Sequence, residues 1–209
     1  MQVVVALFDC FTALDAVGPY EVLSRLPGAS VVFAATTAGP VRTDTGSLAI
    51  VADAALSKVT SCDVLVVPGG PGTRAAVNDK ALVDWVAATH AKTAWTTSVC
   101  TGSEILGAAG LLNGLEATTH WSRVAALESY GATYSERRVV QQGKIVTAAG
   151  VSAGIDMALT LAGLIAGIER AKAIQLGIEY DPQPPFDAGS VTKAGPEIVD
   201  LVLARATSR

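Results

Sequence analysis

Short apolar runs alternate with longer segments of helical periodicity along most of the chain. A short continuous apolar run is typical of a strand that is covered on both faces of a sheet. We predict such strands at residues 3–8, 31–35 and 63–67, a further strand at the β-rich residues 93–99, and hairpins at residues 41–51 and 138–147. The spacing of apolar positions predicts helices at residues 80–91, 122–130, 155–167, 169–180 and 196–206. A first helix is expected to begin near Pro19 and to end before Pro27.

The order of these elements predicts the fold class. Strands that alternate with helices form a mostly parallel sheet with helices on both faces, so we expect an α/β three-layer sandwich with peripheral hairpins. The proline-rich stretch at residues 181–189 is expected to run extended over the surface. No repeat, long linker or change of composition interrupts the chain, so residues 1–209 are predicted to form one domain.

Composition and charge narrow the functional classes. Half of the 209 residues are hydrophobic, 16% are charged, and the formal net charge is −4, which provides no basic footprint for nucleic acid or an anionic membrane surface. No apolar run reaches the length of a membrane span, and residues 1–8 are typical of a strand rather than a signal peptide. Cys10, Cys62 and Cys100 lack metal-ligand spacing and favour a reducing cytoplasm over a disulfide framework. We expect Cys10 and Cys62 to be structural.

Cys100 lies between a predicted strand and a helix-compatible segment, in the sequence Thr-Thr-Ser-Val-Cys-Thr-Gly-Ser at residues 96–103. A reactive side chain at a sharp strand-to-helix turn, among small neighbours, is the arrangement of a nucleophile elbow. The N–H groups and the dipole at the start of the helix are expected to favour the thiolate of Cys100. The alternative is an inert buried cysteine, which is common in protein cores.

Two further elements are predicted at the carboxyl ends of strands, where open α/β sheets place their ligands. Asp15 is expected in the loop after the first strand, where it transfers a proton or, alternatively, caps a helix or turn. The backbone N–H groups of Gly69, Gly70 and Thr101 are predicted to hold the negative charge that develops when Cys100 attacks an electrophilic carbon. The alternative for the glycines is a tight turn without chemistry. An ionised Asp15 would oppose the thiolate, so the pair is expected to share a proton.

His120 is a rival general base, because Cys–His pairing is a common way to activate a cysteine. Trp121 follows it, and no acidic residue is adjacent in sequence to orient the imidazole. A Cys–His–acid hydrolase triad is therefore not visible locally, although an acid from elsewhere in the chain can complete one in the fold.

Several motifs occur together in this chain. They are Leu-Asp-Ala-Val-Gly-Pro at residues 14–19, Pro-Gly-Gly at 68–70, Thr-Ser-Val-Cys-Thr-Gly-Ser at 97–103, Gly-Ala-Ala-Gly-Leu-Leu at 107–112, Ala-Thr-Thr-His-Trp at 117–121, Ala-Gly-Ile-Asp at 153–156, and residues 179–189 with their Pro-Pro-Phe. In this combination the sequence resembles the ThiJ/PfpI superfamily, whose members are relatives of class I glutamine amidotransferases. The resemblance covers nearly the whole chain and is greatest to the isonitrile (isocyanide) hydratase branch.

The resemblance implies a flavodoxin-like fold and a cytoplasmic homodimer that needs no cofactor or metal. It implies that a small isonitrile is converted to an N-formamide through a thioimidate on Cys100, with Asp15 as proton donor and acceptor and Thr101 beside the reacting atoms. His120, Trp121 and Val151 are assigned to the substrate pocket. Because the His120–Trp121 pair departs from the His–acid pattern of the peptidase and amidotransferase branches, peptide or glutamine hydrolysis is not expected.

Two other functions remain open at this point. One is a glyoxalase or deglycase that acts on α-oxoaldehydes and needs both Cys100 and His120. The other is a non-enzymatic sensor, in which Cys100 is oxidised to a sulfinate or the domain binds a ligand as half of a transcriptional regulator. Related domains of AraC-type regulators carry a C-terminal helix-turn-helix extension, and this chain is expected to lack room and basic residues for one.

Overall fold

The structure is a computed structural model that describes residues 1–207. The chain divides into two compact units, Met1–Ile178 and a second unit from Glu179 onwards. The second unit begins with the irregular proline-rich stretch and continues with the helices α8 (Val191–Ala194) and α9 (Pro196–Thr207), which agrees with the helix predicted at residues 196–206. The prediction of one domain over residues 1–209 stays a prediction, and its last two residues lie outside the described ones.

The first unit contains eleven strands and seven α-helices among the described residues. The strands are β1 (Gln2–Ala6), β2 (Ser30–Ala35), β3 (Gly39–Arg42), β4 (Ala49–Ala52), β5 (Ala54–Ala55), β6 (Val64–Val67), β7 (Trp95–Val99), β8 (Glu116–Ala117), β9 (Thr133–Tyr134), β10 (Val139–Gln142) and β11 (Ile145–Ala148). The helices are α1 (Ala13–Leu23), α2 (Thr73–Ala76), α3 (Lys80–His90), α4 (Gly102–Ala108), α5 (Val124–Glu128), α6 (Ala153–Ala166) and α7 (Ile168–Gly177).

Seven strands form the central sheet, in the order β10-β11-β7-β6-β1-β2-β5. Every neighbouring pair is parallel except β10 and β11, which form a hairpin at the edge. The chain leaves β1 for β2 on one side and later returns to β6 on the other side of β1. Ligands bind at such a reversal of strand order, outside the carboxyl ends of the strands. The ends of β1, β6 and β7 therefore define the candidate site.

Alternating side chains of the buried strands pack into two helical layers. On one face Val4 and Leu65 belong to a buried cluster with Ile105 of α4. On the other face Val5 belongs to a buried cluster with Leu161 of α6. The strands are apolar on both faces because both faces are covered. The predicted fold class, a flavodoxin-like α/β three-layer sandwich with a mostly parallel sheet, is confirmed.

The start of the first helix differs from the prediction. Helix α1 begins at Ala13, so Asp15 lies in its first turn rather than in the preceding loop, and Pro19 lies inside the helix. An internal proline removes one helical hydrogen bond, which is why the sequence favoured a start at Pro19. In the fold, α1 packs closely on α6, where a Cβ on Gly154 would lie 3.2 Å from Pro19 Cδ. This tertiary packing outweighs the local preference of proline.

Candidate active site

The chain turns sharply at Cys100, directly after β7. Cys100 has a φ of +56°, a conformation that non-glycine residues rarely adopt. Its N–H donates to Ala149 O at 2.8 Å, and its own carbonyl accepts hydrogen bonds from Ser103 Oγ at 3.1 Å and Thr119 Oγ1 at 3.2 Å. A Cβ on Gly102 would lie 2.2 Å from Val67 O, so the close approach of α4 to β6 requires glycine there. The surrounding bonds hold the strained conformation of a nucleophile elbow.

Asp15 brings a buried carboxyl group to Cys100. Its side chain is fully buried, and Oδ2 accepts a hydrogen bond from Gly69 N–H at 2.9 Å. Oδ1 receives no N–H or O–H hydrogen bond from the described residues, and the carboxyl interacts with the Cys100 thiol. Burial raises the pKa of Asp15 from 3.8 to about 7, and the nearby charge of Asp44 adds to this, while the Gly69 bond opposes it. Asp15 is therefore a group that exchanges a proton near neutral pH.

The pKa of the Cys100 thiol is raised, first by burial and then by the charge of Asp15. Hydrogen bonds from the backbone and side chain of Thr101 oppose this increase. The expectation that the helix N-terminus would favour the thiolate is wrong for the free protein. The side chain is 95% shielded and α4 has only seven residues, so desolvation outweighs the helix dipole. The pair therefore holds its proton on sulfur and ionises at Asp15 first.

The glycine loop after β6 positions the side chains of Asp15 and Thr101. Gly69 N–H binds Asp15, and Gly70 N–H donates to Thr101 Oγ1 at 2.8 Å. Gly70 has a φ of +137°, and a Cβ there would lie 2.5 Å from the Thr12 nitrogen, so no larger residue fits. In this structure both glycine N–H groups, predicted as donors to a developing charge, are already bonded within the protein. The Thr101 N–H instead points to the Cys100 sulfur, and its role as a donor stays a prediction.

His120 lies beside the elbow without a carboxylate partner in the described structure. Its Nδ1 lies 2.8 Å from Ser122 Oγ and accepts from Ser122 N–H at 3.3 Å, and burial lowers its pKa. The ring packs against Trp121 with 5.3 Å between centroids. Val151 packs against the buried cluster that contains Cys100, and the neighbouring loop approaches the His120 ring. The assignment of His120, Trp121 and Val151 to the substrate pocket stays a prediction.

Several polar residues at the site were not predicted from the sequence. Thr73 Oγ1 lies 2.9 Å from Thr101 Oγ1, and Asp44 of the β3–β4 hairpin accepts a hydrogen bond from Thr12 Oγ1 at 2.9 Å. Glu104 is a buried carboxylate on α4 and forms an ion pair with Arg123. Glu104 could have been found from its place among small and apolar residues directly after Cys100. The other contacts join distant parts of the chain and leave no local signal.

The described part of the chain contains neither a cluster of metal-ligand side chains nor a helix that could span a membrane. There, no three His, Cys, Asp or Glu side chains cluster as metal ligands. None of the helices in those residues is both long enough and apolar enough to cross a membrane.

Comparison with known proteins defines the class of this protein. The chain belongs to the DJ-1/PfpI family, whose model matches residues 1–163. It is 41% identical to the isonitrile hydratase of Pseudomonas putida over 206 residues, which covers 99% of this chain and 90% of that protein. A crystal structure of a ThiJ/PfpI family protein from Pseudomonas syringae matches with a TM-score of 0.93 at 40% identity, covering 99% of this chain and 86% of that one. The resemblance found from the motifs is thereby confirmed.

A different kind of relative shares the same domain. The HTH-type transcriptional regulator CdhR of Pseudomonas aeruginosa is 32% identical over 150 residues. The match covers 69% of this chain and 41% of the regulator. Similarity to the domain is therefore found in both enzymes and regulators, and the function must be argued from the site.

Proposed function

We propose that this protein is an isonitrile hydratase, which adds water to an isonitrile, R–N≡C, and releases an N-formamide. The observation that carries the proposal is the buried pair of Cys100 and Asp15, because it joins a protonated nucleophile to a carboxyl whose pKa is about 7. The similarity to the Pseudomonas putida isonitrile hydratase over nearly the full chain supports the choice of substrate.

In the first half of the reaction the Cys100 sulfur adds to the terminal carbon of the isonitrile. Ionised Asp15 accepts the thiol proton as the S–C bond forms and delivers it to the same carbon, so that the C≡N bond becomes C=N. The product is a thioimidate, Cys100–S–CH=N–R, and Asp15 is ionised again. Removing the thiol proton only during attack avoids a free thiolate next to a carboxylate in a buried site.

In the second half water attacks the thioimidate carbon. Asp15 accepts a proton from the water and passes it to the substrate nitrogen, and the C–S bond breaks. The remaining hydroxyl proton returns to sulfur as the carbonyl forms, which releases R–NH–CHO and restores the thiol. The net change is the addition of one water molecule to one isonitrile, with no oxidant or reductant. The Thr101 N–H, which points to the sulfur, stabilises charge that develops there.

The alternatives receive less support from the site. A peroxide sensor needs an accessible thiolate, whereas Cys100 is buried and its pKa is raised. A glyoxalase or deglycase that relies on His120 needs a group to orient the imidazole toward the substrate, and the Nδ1 partner in the structure is Ser122. The ligand-binding half of a regulator is a second candidate, because the chain is 32% identical to the regulator CdhR over 150 residues.

The proposal is tested by isonitrile turnover, followed as the loss of the isocyano infrared band of a simple alkyl isonitrile. Wild-type protein with reduced Cys100 is compared with Cys100→Ser, Asp15→Asn and His120→Ala. We expect the first two substitutions to abolish turnover and the third only to impair it. No turnover by the wild type refutes the proposal, and a fully active Asp15→Asn removes the proton-transfer role of Asp15. We further propose that the enzyme is a cytoplasmic homodimer that needs no cofactor. Light scattering will test the dimer, and activity after dialysis against chelator will test the absence of a metal cofactor.

A further inference from the structure

Glu104 is a buried carboxylate on the helix that begins at the elbow. Among the side chains that the structure describes, it and Asp15 are the buried acids. Glu104 lies four residues after Cys100, in the first turn of α4, and is 3% exposed. Removing a carboxylate from water is costly unless a charged partner and hydrogen bonds compensate it. Glu104 therefore needs a charged, hydrogen-bonding partner in this region.

That partner is Arg123, which binds both carboxylate oxygens. Arg123 Nε donates to Oε1 at 2.8 Å and Nη2 donates to Oε2 at 2.7 Å, the planar two-point geometry that makes such pairs strong and directional. Glu104 in turn raises the pKa of Arg123. The two residues are distant in sequence, so the pair joins α4 to a separate segment of the chain.

The segment that Arg123 anchors carries His120 and Trp121. Trp121–Arg123 form a 3-10 turn, and Arg123 N–H donates to His120 O at 2.9 Å. At the other end of the segment, Thr119 Oγ1 donates to Cys100 O. The His120–Trp121 pair is thus fixed on one side to the elbow itself and on the other side to the helix that follows the elbow.

We propose that Glu104 and Arg123 are positioning residues that hold the His120–Trp121 wall at a set distance from Cys100 and thereby select the size of the substituent on the substrate. The inference rests on the proposed function for the identity of the substrate, an isonitrile, and on the predicted place of His120 and Trp121 in the substrate pocket; it concerns that pocket rather than the reaction. Two rings that are anchored at both ends form a rigid wall, whereas rings on a free loop would adapt to substrates of different size.

Stability alone is a weak reason for this pair. Replacing a buried ion pair by apolar residues of similar volume is often neutral or stabilising, while removal of one partner is strongly destabilising. Ion pairs at the surface of this protein have much more exposed side chains. The Arg137–Glu116 pair, for example, has side chains that are 58% and 39% exposed. The two kinds of pair provide a matched comparison.

The test is the double variant Glu104→Met/Arg123→Met, which removes both charges and leaves no unpaired group. Its control is the matched double variant Glu116→Met/Arg137→Met. We measure KM and kcat for a small isonitrile, such as tert-butyl isonitrile, and for a bulky one, such as 2-naphthyl isonitrile. For the double variant we expect the ratio of the two KM values to change by about tenfold, equivalent to about 1.4 kcal/mol of discrimination, with a smaller change in kcat. We expect a melting temperature at or above that of the wild type, and an unchanged ratio in the control.

A second readout does not depend on the proposed function. In a Cys10→Ser background, the rate of Cys100 alkylation is measured with iodoacetamide and with the bulkier N-benzylmaleimide. In the double variant, the rates of Cys100 alkylation by the two reagents are expected to differ less than in the wild type. This result is expected even if the wild type hydrates no isonitrile. If both the KM ratio and the alkylation ratio equal those of the wild type in a folded double variant, the positioning role is refuted. A change of equal size in Glu116→Met/Arg137→Met would refute it as well.

Discussion

Burial of the Asp15 carboxylate lowers the free energy of unfolding once the group is ionised, and this effect can be measured apart from catalysis. Its pKa is raised from 3.8 to about 7, a shift of about three units, which corresponds to about 4 kcal/mol at 1.36 kcal/mol per unit. Between these two pH values the folded protein binds more protons at this site than the unfolded chain does. The stability that Asp15 provides below about pH 4 is therefore lost as the pH rises through about 7. Above that pH, folding must keep an ionised carboxylate buried beside Cys100.

Asp15→Asn removes this cost, because asparagine is neutral and its carbonyl can still accept the Gly69 hydrogen bond. We expect the variant to match the wild type in free energy of unfolding below about pH 4 and to exceed it by up to about 4 kcal/mol above about pH 7. Denaturant unfolding over this pH range measures the difference, with Asp84→Asn as a control that removes an exposed carboxylate. Parallel pH profiles for wild type and Asp15→Asn would refute the assignment of a raised pKa.

Three other substitutions test separate parts of the account. Asp44→Asn removes a negative charge that raises the pKa of Asp15, so the acidic limb of the kcat/KM profile should move to lower pH, whereas a structural effect alone would leave its midpoint in place. Gly102→Ala places a Cβ against Val67 O and should lower the free energy of unfolding by at least about 3 kcal/mol in denaturant titrations, because backbone must move. Cys10→Ser changes an exposed side chain and should leave isonitrile turnover within about twofold of the wild type, whereas a large loss would assign Cys10 a role.

The sequence predicted the layers of the fold well because its strands carry apolar residues on both faces. The runs that became β1 and β6 are apolar and buried over almost their whole length, so their pattern is unambiguous, whereas β7 is equally buried but contains Thr96, Thr97 and Ser98. The short strands β5, β8 and β9 have two residues each and lack enough length for any pattern. The start of α1 was misplaced because the close packing on Gly154 is a tertiary effect.

The sequence predicted which residues meet at the candidate site but not which of them is ionised. The sequence placed Cys100, Asp15 and Thr101 together because they follow the carboxyl ends of predicted strands, and these residues do meet in the fold. It favoured a thiolate because the elbow and the helix are visible in sequence, whereas the depth of burial is not. Likewise, the bonds that occupy the glycine N–H groups depend on side chains more than 30 positions away. Desolvation and long-range contacts therefore account for what the sequence left out.

The central claim is that Cys100 forms a covalent bond to the isonitrile carbon with Asp15 handling the proton. The most direct measurement is intact and peptide mass spectrometry of protein that is quenched with acid during turnover of an aryl isonitrile. An added mass of one isonitrile is expected on the peptide that contains Cys100, and none is expected in Cys100→Ser. Turnover that proceeds without an adduct and persists in Cys100→Ser would contradict the account.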